Sequence, residues 1–215
     1  MSVKLDTSEI PNSAGPKLVL GSGSPRRLEL LEQIGLEPDF VEAPDIDESP
    51  LKGEKPRSYA SRMAREKADA LEPHHVGNFI ITGDTVVAAG SRILPKALNL
   101  SEARACLERL SGRSHNVFSA LTIISDKGDI FERLSHNRVS FKRLSAAEIS
   151  SYLDSGEWHG KAGGYAIQGL AAGLISSLKG SFSAVVGMDL FQVQSILAGC
   201  GFGRLPQTIE TQTFL

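Results

Sequence analysis

The sequence predicts an α/β fold, a mixed sheet with flanking helices, on three observations. An apolar run from Lys17 to Gly21 passes through a Gly/Ser turn directly into a helical pattern. A second apolar run, Phe79-Ile80-Ile81, follows another helical pattern and ends on Gly83-Asp84-Thr85. Two long segments, Val117 to Ser125 and Ile130 to Phe141, meet across Asp126-Lys127-Gly128-Asp129, a turn sequence. Helices between the early strands and a longer hairpin after them make layered α and β structure.

In chain order, the first strand ends at Gly21-Ser22-Gly23-Ser24-Pro25, and Pro25 suits a first helical turn, where its missing N–H costs nothing. Leu28, Leu30, Leu31 and Ile34 carry that helix, and Gly35 stops it. Phe40 to Ala43 reads as a second strand, and Pro44 to Pro56 as an acidic, proline-rich loop. Tyr59, Met63, Ala64, Lys67 and Leu71 fall at helical spacing, which predicts a helix over 57–71. The Phe79 strand is expected to end at Thr82 to Thr85, with a hairpin of 86–88 and 92–94 after it. Ser101 is the expected cap of a helix through Leu110, and Ser145-Ala-Ala-Glu148 matches a capping box. Lys161 to Gly169 is a glycine-rich loop, 174–178 and 182–186 read as a strand pair, and 190–198 as a last helix.

The 215 residues suit a single domain over 17–215, with 1–16 a loose polar tail. Hydrophobic residues at 41% and charged residues at 22% support a buried core and argue against disorder. Lys plus Arg total 23 against 25 Asp plus Glu, so no general pull toward nucleic acid or a membrane is expected. Two cysteines, Cys106 and Cys200, make neither a disulfide framework nor a four-ligand zinc site. A cytoplasmic protein is the expectation.

Five stretches carry chemistry. Ser22-Gly-Ser-Pro-Arg26-Arg27 combines small residues, a helix N-terminus and two fork-shaped cations, the parts of a phosphate cradle, or of an ordinary strand-to-helix turn with two solvated arginines. It is neither a Walker A motif nor a dinucleotide fingerprint. Asp45-Ile-Asp47-Glu48 offers carboxylates that suit a hydrated divalent ion, or a solvated loop. Asp84 sits where open α/β sheets place their sites, or in a plain turn. Lys67 and Lys96 are candidate phosphate ligands or solvated charges. Glycines around Tyr165 and Gln168 suggest backbone threading close to a ligand, where a glutamine amide both donates and accepts, or a flexible connector. Cys106 and Trp158 read as packing, and the adjacent His74 and His75 do not face one ion.

Together, Ser22-Gly-Ser-Pro-Arg-Arg27, Ile46-Asp-Glu48, Ala64-Arg-Glu-Lys67, Gly83-Asp-Thr85, Ser111-Gly112 with His115, and Lys161-Ala-Gly-Gly-Tyr-Ala-Ile-Gln-Gly169 resemble the Maf family of nucleoside triphosphate pyrophosphatases. The resemblance spans about Leu18 to Leu197. It implies two lobes around a central cleft, as in ITPase-like folds, and a homodimer. It implies hydrolysis of a nucleoside triphosphate to monophosphate and pyrophosphate with a divalent cation, Mg²⁺ or Mn²⁺.

Carried over residue by residue, it makes Asp84, Glu48, Lys67 and Lys96 catalytic, with Glu48 and Asp84 on the metal. Ser22, Arg26, Arg27, Thr85 and Gln168 become substrate-binding. Asp84 is the expected activator of water, ahead of Glu48. Arg26, Thr85 and Gln168 resemble the dTTP/UTP subgroup; the 7-methyl-GTP subgroup tends to have Trp, Gln and Glu there. The chain departs from the family in Pro95-Lys96, where Lys-Pro is usual, and in Asp189, where proline is usual. The acid loop aligns only with a one-residue gap, which leaves Asp47 and Glu48 interchangeable. A non-hydrolysing regulator of septum formation would keep the cradle without needing both carboxylates. A phosphatase would release inorganic phosphate instead.

Overall fold

β1 (Leu18–Gly21) is buried along its whole length and lies between two parallel neighbours, β2 (Phe40–Val41) and β3 (Phe79–Ala89). Residues 15–204 are described by this structure, a computed structural model. The expected 1–16 tail therefore lies outside the described residues except for Gly15 and Pro16. Along its other edge β3 runs antiparallel to β5 (Ser114–Ile124), which pairs with β6 (Ile130–Phe141), and β6 with β7 (Ile175–Lys179). A short β4 (Arg92–Leu94) folds back on the end of β3. Among the described residues the sheet has seven strands in the order β2-β1-β3-β5-β6-β7, with β4 on β3.

Among the described residues six α-helices flank it. α1 (Pro25–Gln33) starts with Pro25 as anticipated and closes in a Schellman arrangement, Leu36 N–H to Leu31 and Gly35 N–H to Glu32, with Gly35 at φ 70°. α2 (Pro56–Leu71) presents Ala60, Ala64 and Ala68 to the sheet, and these small residues let it lie close on Val19, Ile80, Val86, Ala120 and Ile124. The opposite face carries the larger core, in which Leu18, Leu20, Phe79, Ile81 and Ile123 meet Leu31, Leu107 and Leu197 of α1, α3 (Leu100–Leu110) and α6 (Leu190–Gly199). α4 (Ala146–Asp154) has the anticipated Ser145/Glu148 capping box, and α5 (Phe182–Val186) is one short turn before α6.

Four expectations change. The Phe79 strand does not end at Asp84; it continues to Ala89 because β5 pairs with it without a break from Ile80 to Ala88. Residues 182–186 are helical rather than a strand, since the Ser181 hydroxyl accepts from Ala184 N–H and the turn buries Ala184 to Val186. The strand at 175–179 pairs with β6 instead. α3 is capped by Asn99, whose side chain accepts from Glu102 N–H, not by Ser101. The second strand stops at Val41, short of Ala43.

The β1 edge of β3 positions everything that follows. β1 pairs with it only to Thr82, and β4 begins only at Val87. Gly83 to Val86 therefore have no strand partner on that edge, which leaves an opening in the middle of the sheet.

Candidate active site

Side chains alternate faces along β3. Ile80 and Val86 pack under α2, and Thr82 donates to the Ala64 carbonyl of α2 at 2.6 Å, so Asp84 faces α2 as well. There it meets Lys67: Nζ lies 2.9 Å from Asp84 Oδ1 and 2.7 Å from Glu48 Oε1. The ammonium is buried and joins helix, strand and acid loop in one knot. Lys96 Nζ stands 3.8 Å from the other oxygen of Glu48. Burial pushes the Glu48 carboxyl up, but the Lys67 hydrogen bond and the charges of Lys67, Lys96 and Arg27 outweigh it and hold the group below the usual range.

Thr85 faces the other way. Its hydroxyl donates to the Gly187 carbonyl at 3.2 Å, beside Ser119 Oγ at 3.4 Å. The same carbonyl accepts from Arg27 Nε at 3.0 Å. Arg27 is buried, and its Nη1 donates to Ser22 Oγ at 3.0 Å. Burial lowers the Arg27 pKa, and Asp84 partly offsets that. Ser22 Oγ also accepts from Ser24 N–H at 3.1 Å, so its own proton is free to donate outward. Gly83 allows this packing: a Cβ there would meet the Ala120 carbonyl at 2.9 Å.

These groups open on one cleft of about 610 Å³, within the usual range for small-molecule sites. Ser22, Arg26, Arg27, Glu48, Lys67, Asp84, Thr85, Lys96 and Gln168, the nine site residues expected from the sequence, all line it. Arg26 is half-buried, and desolvation lowers its pKa against the pull of Glu29. Gln168 and Lys96 stand exposed in its lining. The reversed Pro95-Lys96 order does not free that loop. Lys96 bridges Ala162, Ala97 N–H donates to Lys161, and Gly163 N–H donates to Pro95. Asp189 lies buried outside the cleft and accepts from Ser135.

Asp45 and Asp47 do not reach the cleft. Asp47 Oδ1 accepts from Ser49 N–H at 2.9 Å within its own loop, which leaves Glu48 as the carboxylate facing Lys67. Cys106 and Trp158 are packed in the core, the latter donating to the Leu153 carbonyl.

Three features carried no assigned role in the sequence. Lys161 lines the cleft too, giving five cations against the carboxylates of Glu29, Glu48 and Asp84, a field that favours an anionic ligand. His115 Nε2 lies 2.8 Å from the Tyr165 hydroxyl, behind the glycine loop. Tyr59 and Arg62 of α2 hold the acid loop from outside. Helical spacing marked Tyr59 as apolar-facing, and nothing local marked Arg62.

Among the described residues no cluster of three or more His, Cys, Asp or Glu side chains could hold a metal. Glu48 and Asp84 each commit one oxygen to Lys67. Two carboxylates completed by oxygens of a ligand or water form the hard donor set that Mg²⁺ or Mn²⁺ takes. The residues fit such an ion.

The profile of the family described as "Maf-like protein" matches residues 17–200. A protein of Rhodospirillum rubrum named "dTTP/UTP pyrophosphatase" is 54% identical over 190 residues, 88% of this chain and 90% of that one. Proteins with the same name from Novosphingobium aromaticivorans and Caulobacter vibrioides are 53% and 50% identical, over 89% and 88% of this chain and 95% and 98% of theirs. Among solved structures, a HAM1 protein from Coxiella burnetii aligns over 86% of this chain and 99% of that chain, at 20% identity and a TM-score of 0.47.

Proposed function

The chain belongs to the Maf family, and on that premise we propose that it hydrolyses nucleoside triphosphates to monophosphate and pyrophosphate by attack of water on the α-phosphorus. The substrates are dTTP and UTP, or modified pyrimidine analogues, in keeping with relatives of about half-identical sequence. One observation carries the reading: the cations Arg26, Arg27, Lys67 and Lys96, the Ser22 hydroxyl and the carboxylates of Glu48 and Asp84, from five separate parts of the chain, line a single cleft.

Arg26, Arg27, Lys67 and Lys96 offset the charge of the triphosphate, and the free proton of Ser22 fixes a phosphate oxygen. Such fixed donors and cations act where charge develops in the transition state. Asp84 accepts the proton of the attacking water. Glu48 and Asp84 would hold Mg²⁺ or Mn²⁺, which when bound would neutralise phosphate charge. Lys67 holds the two carboxylates together and favours the ionised form of Glu48. Gln168 reads the O4 and N3–H edge of uracil or thymine, for which an amide has matching donor and acceptor. Thr85 shares this task by holding the Gly187 turn against the cleft.

A cytoplasmic homodimer, one domain from residue 17 to the end, belongs to the same proposal. Among the described residues no helix is long and apolar enough to cross a membrane. A panel of nucleotides with Mg²⁺ and Mn²⁺, including 7-methyl-GTP, tests the function. Pyrophosphate from dTTP and UTP is the expected result. Inorganic phosphate as the product, or a preference for 7-methyl-GTP, counts against it. Sedimentation of the purified protein tests the dimer.

A further inference from the structure

Glu48 stands on a loop with little structure of its own. No strand or helix forms between β2 and α2, and Asp47 to Gly53 are exposed. A carboxylate that serves a metal or a phosphate must be held within a fraction of an ångström. Apart from Lys96, which stands 3.8 Å from its side chain, the groups that hold this one come from α2. The Tyr59 hydroxyl donates to the Glu48 carbonyl at 2.8 Å, and Arg62 Nη2 to the Ser49 carbonyl at 3.1 Å. Lys67 binds the Glu48 side chain one turn further on.

Arg62 does the most. Its fork grips Glu54 twice, Nε to Oε1 at 2.8 Å and Nη2 to Oε2 at 2.7 Å. Glu54 Oε2 in turn accepts from Leu51 N–H at 3.0 Å. One guanidinium therefore closes residues 49–54 into a ring and pins that ring to α2. The far edge of the fork reaches Glu66 at 3.2 Å, and the Tyr59 ring lies 5.6 Å away. Arg62 itself does not line the cleft.

We propose that Arg62 is a positioning residue that fixes Glu48 through the backbone of the acid loop, and so sets the divalent-ion dependence of the reaction. This rests on the reading of Glu48 as a metal-holding carboxylate. Lysine at this position keeps the charge but not the planar two-pronged grip.

The test combines Arg62→Gln and Arg62→Lys with Glu48→Gln. Arg62→Gln is expected to lower kcat/KM about tenfold or more and to raise the Mg²⁺ concentration needed for half-maximal rate. Arg62→Lys recovers part of both losses. In the Glu48→Gln background Arg62→Gln costs about twofold or less, because residues acting through one another are not additive. Independently of turnover, amide exchange over 46–54 rises about tenfold in Arg62→Gln while β3 is unchanged. An equal loss in both backgrounds, or unchanged exchange over 46–54, overturns the proposal. Wild-type turnover by Glu48→Gln removes Glu48 from the mechanism, whereas impaired Glu48→Gln with fully active Arg62→Gln removes only the positioning role.

Discussion

Lys67 Nζ lies 2.9 Å from Asp84 Oδ1, with both side chains largely withdrawn from water. The contact follows from two periodicities. Asp84 points under α2 by the alternation of β3, and Lys67 falls on the same α2 face as Ala60 and Ala64.

Lys67→Met leaves Glu48 and Asp84 facing each other without their shared cation. Turnover is expected to fall on the order of 10²-fold or more. Glu48 is held below its ordinary value of 4.5, so the stability it contributes is present above that pH and is lost as the pH falls through its lower, folded value. Without Lys67 this window moves to higher pH. The acid limb of the kcat/KM profile should therefore shift upward in the variant; an unmoved limb assigns it to another group.

Asp84→Asn keeps the shape of the side chain and its reach to Lys67. The variant should fold with a near-normal melting temperature and lose about 10²-fold or more of its pyrophosphate release. Near-normal release by a folded variant takes Asp84 out of the mechanism.

His115 is 2% exposed, and burial lowers its pKa from 6.5 to about 4. The unfolded chain takes up this proton before the folded one does. Stability from the neutral ring is complete above pH 6.5 and declines as the pH drops toward 4. That gap is worth up to about 3 kcal/mol. Urea midpoints at pH 7 and 4.5 should drop more steeply for the wild type than for His115→Gln; parallel slopes would assign the loss to other groups.

Gln168→Glu replaces the donor half of the amide by a second acceptor. Use of dTTP and UTP should weaken more than the affinity for Mn²⁺ does. An unchanged substrate profile removes Gln168 from base reading.

Much of the site was legible because each piece is local. Gly-Ser-Pro-Arg-Arg at a strand-to-helix turn, Gly-Asp-Thr on an apolar strand and the glycines around Tyr165 announce themselves within a few residues. The continuity of β3 was not legible: Gly83-Asp84-Thr85 reads as a turn, and only pairing with β5 keeps it extended. Phe182 to Val186 is rich in strand-forming residues, yet the Ser181 cap and local burial make it helical. The convergence of Arg27 and Thr85 on Gly187 spans 160 and 102 residues, which no local pattern foretells.

The most direct measurement is turnover of dTTP in ¹⁸O-labelled water. Attack at the α-phosphorus puts the label in thymidine monophosphate and leaves pyrophosphate unlabelled. Label in the pyrophosphate would move the attack to the β-phosphorus, away from the water that Asp84 is taken to activate.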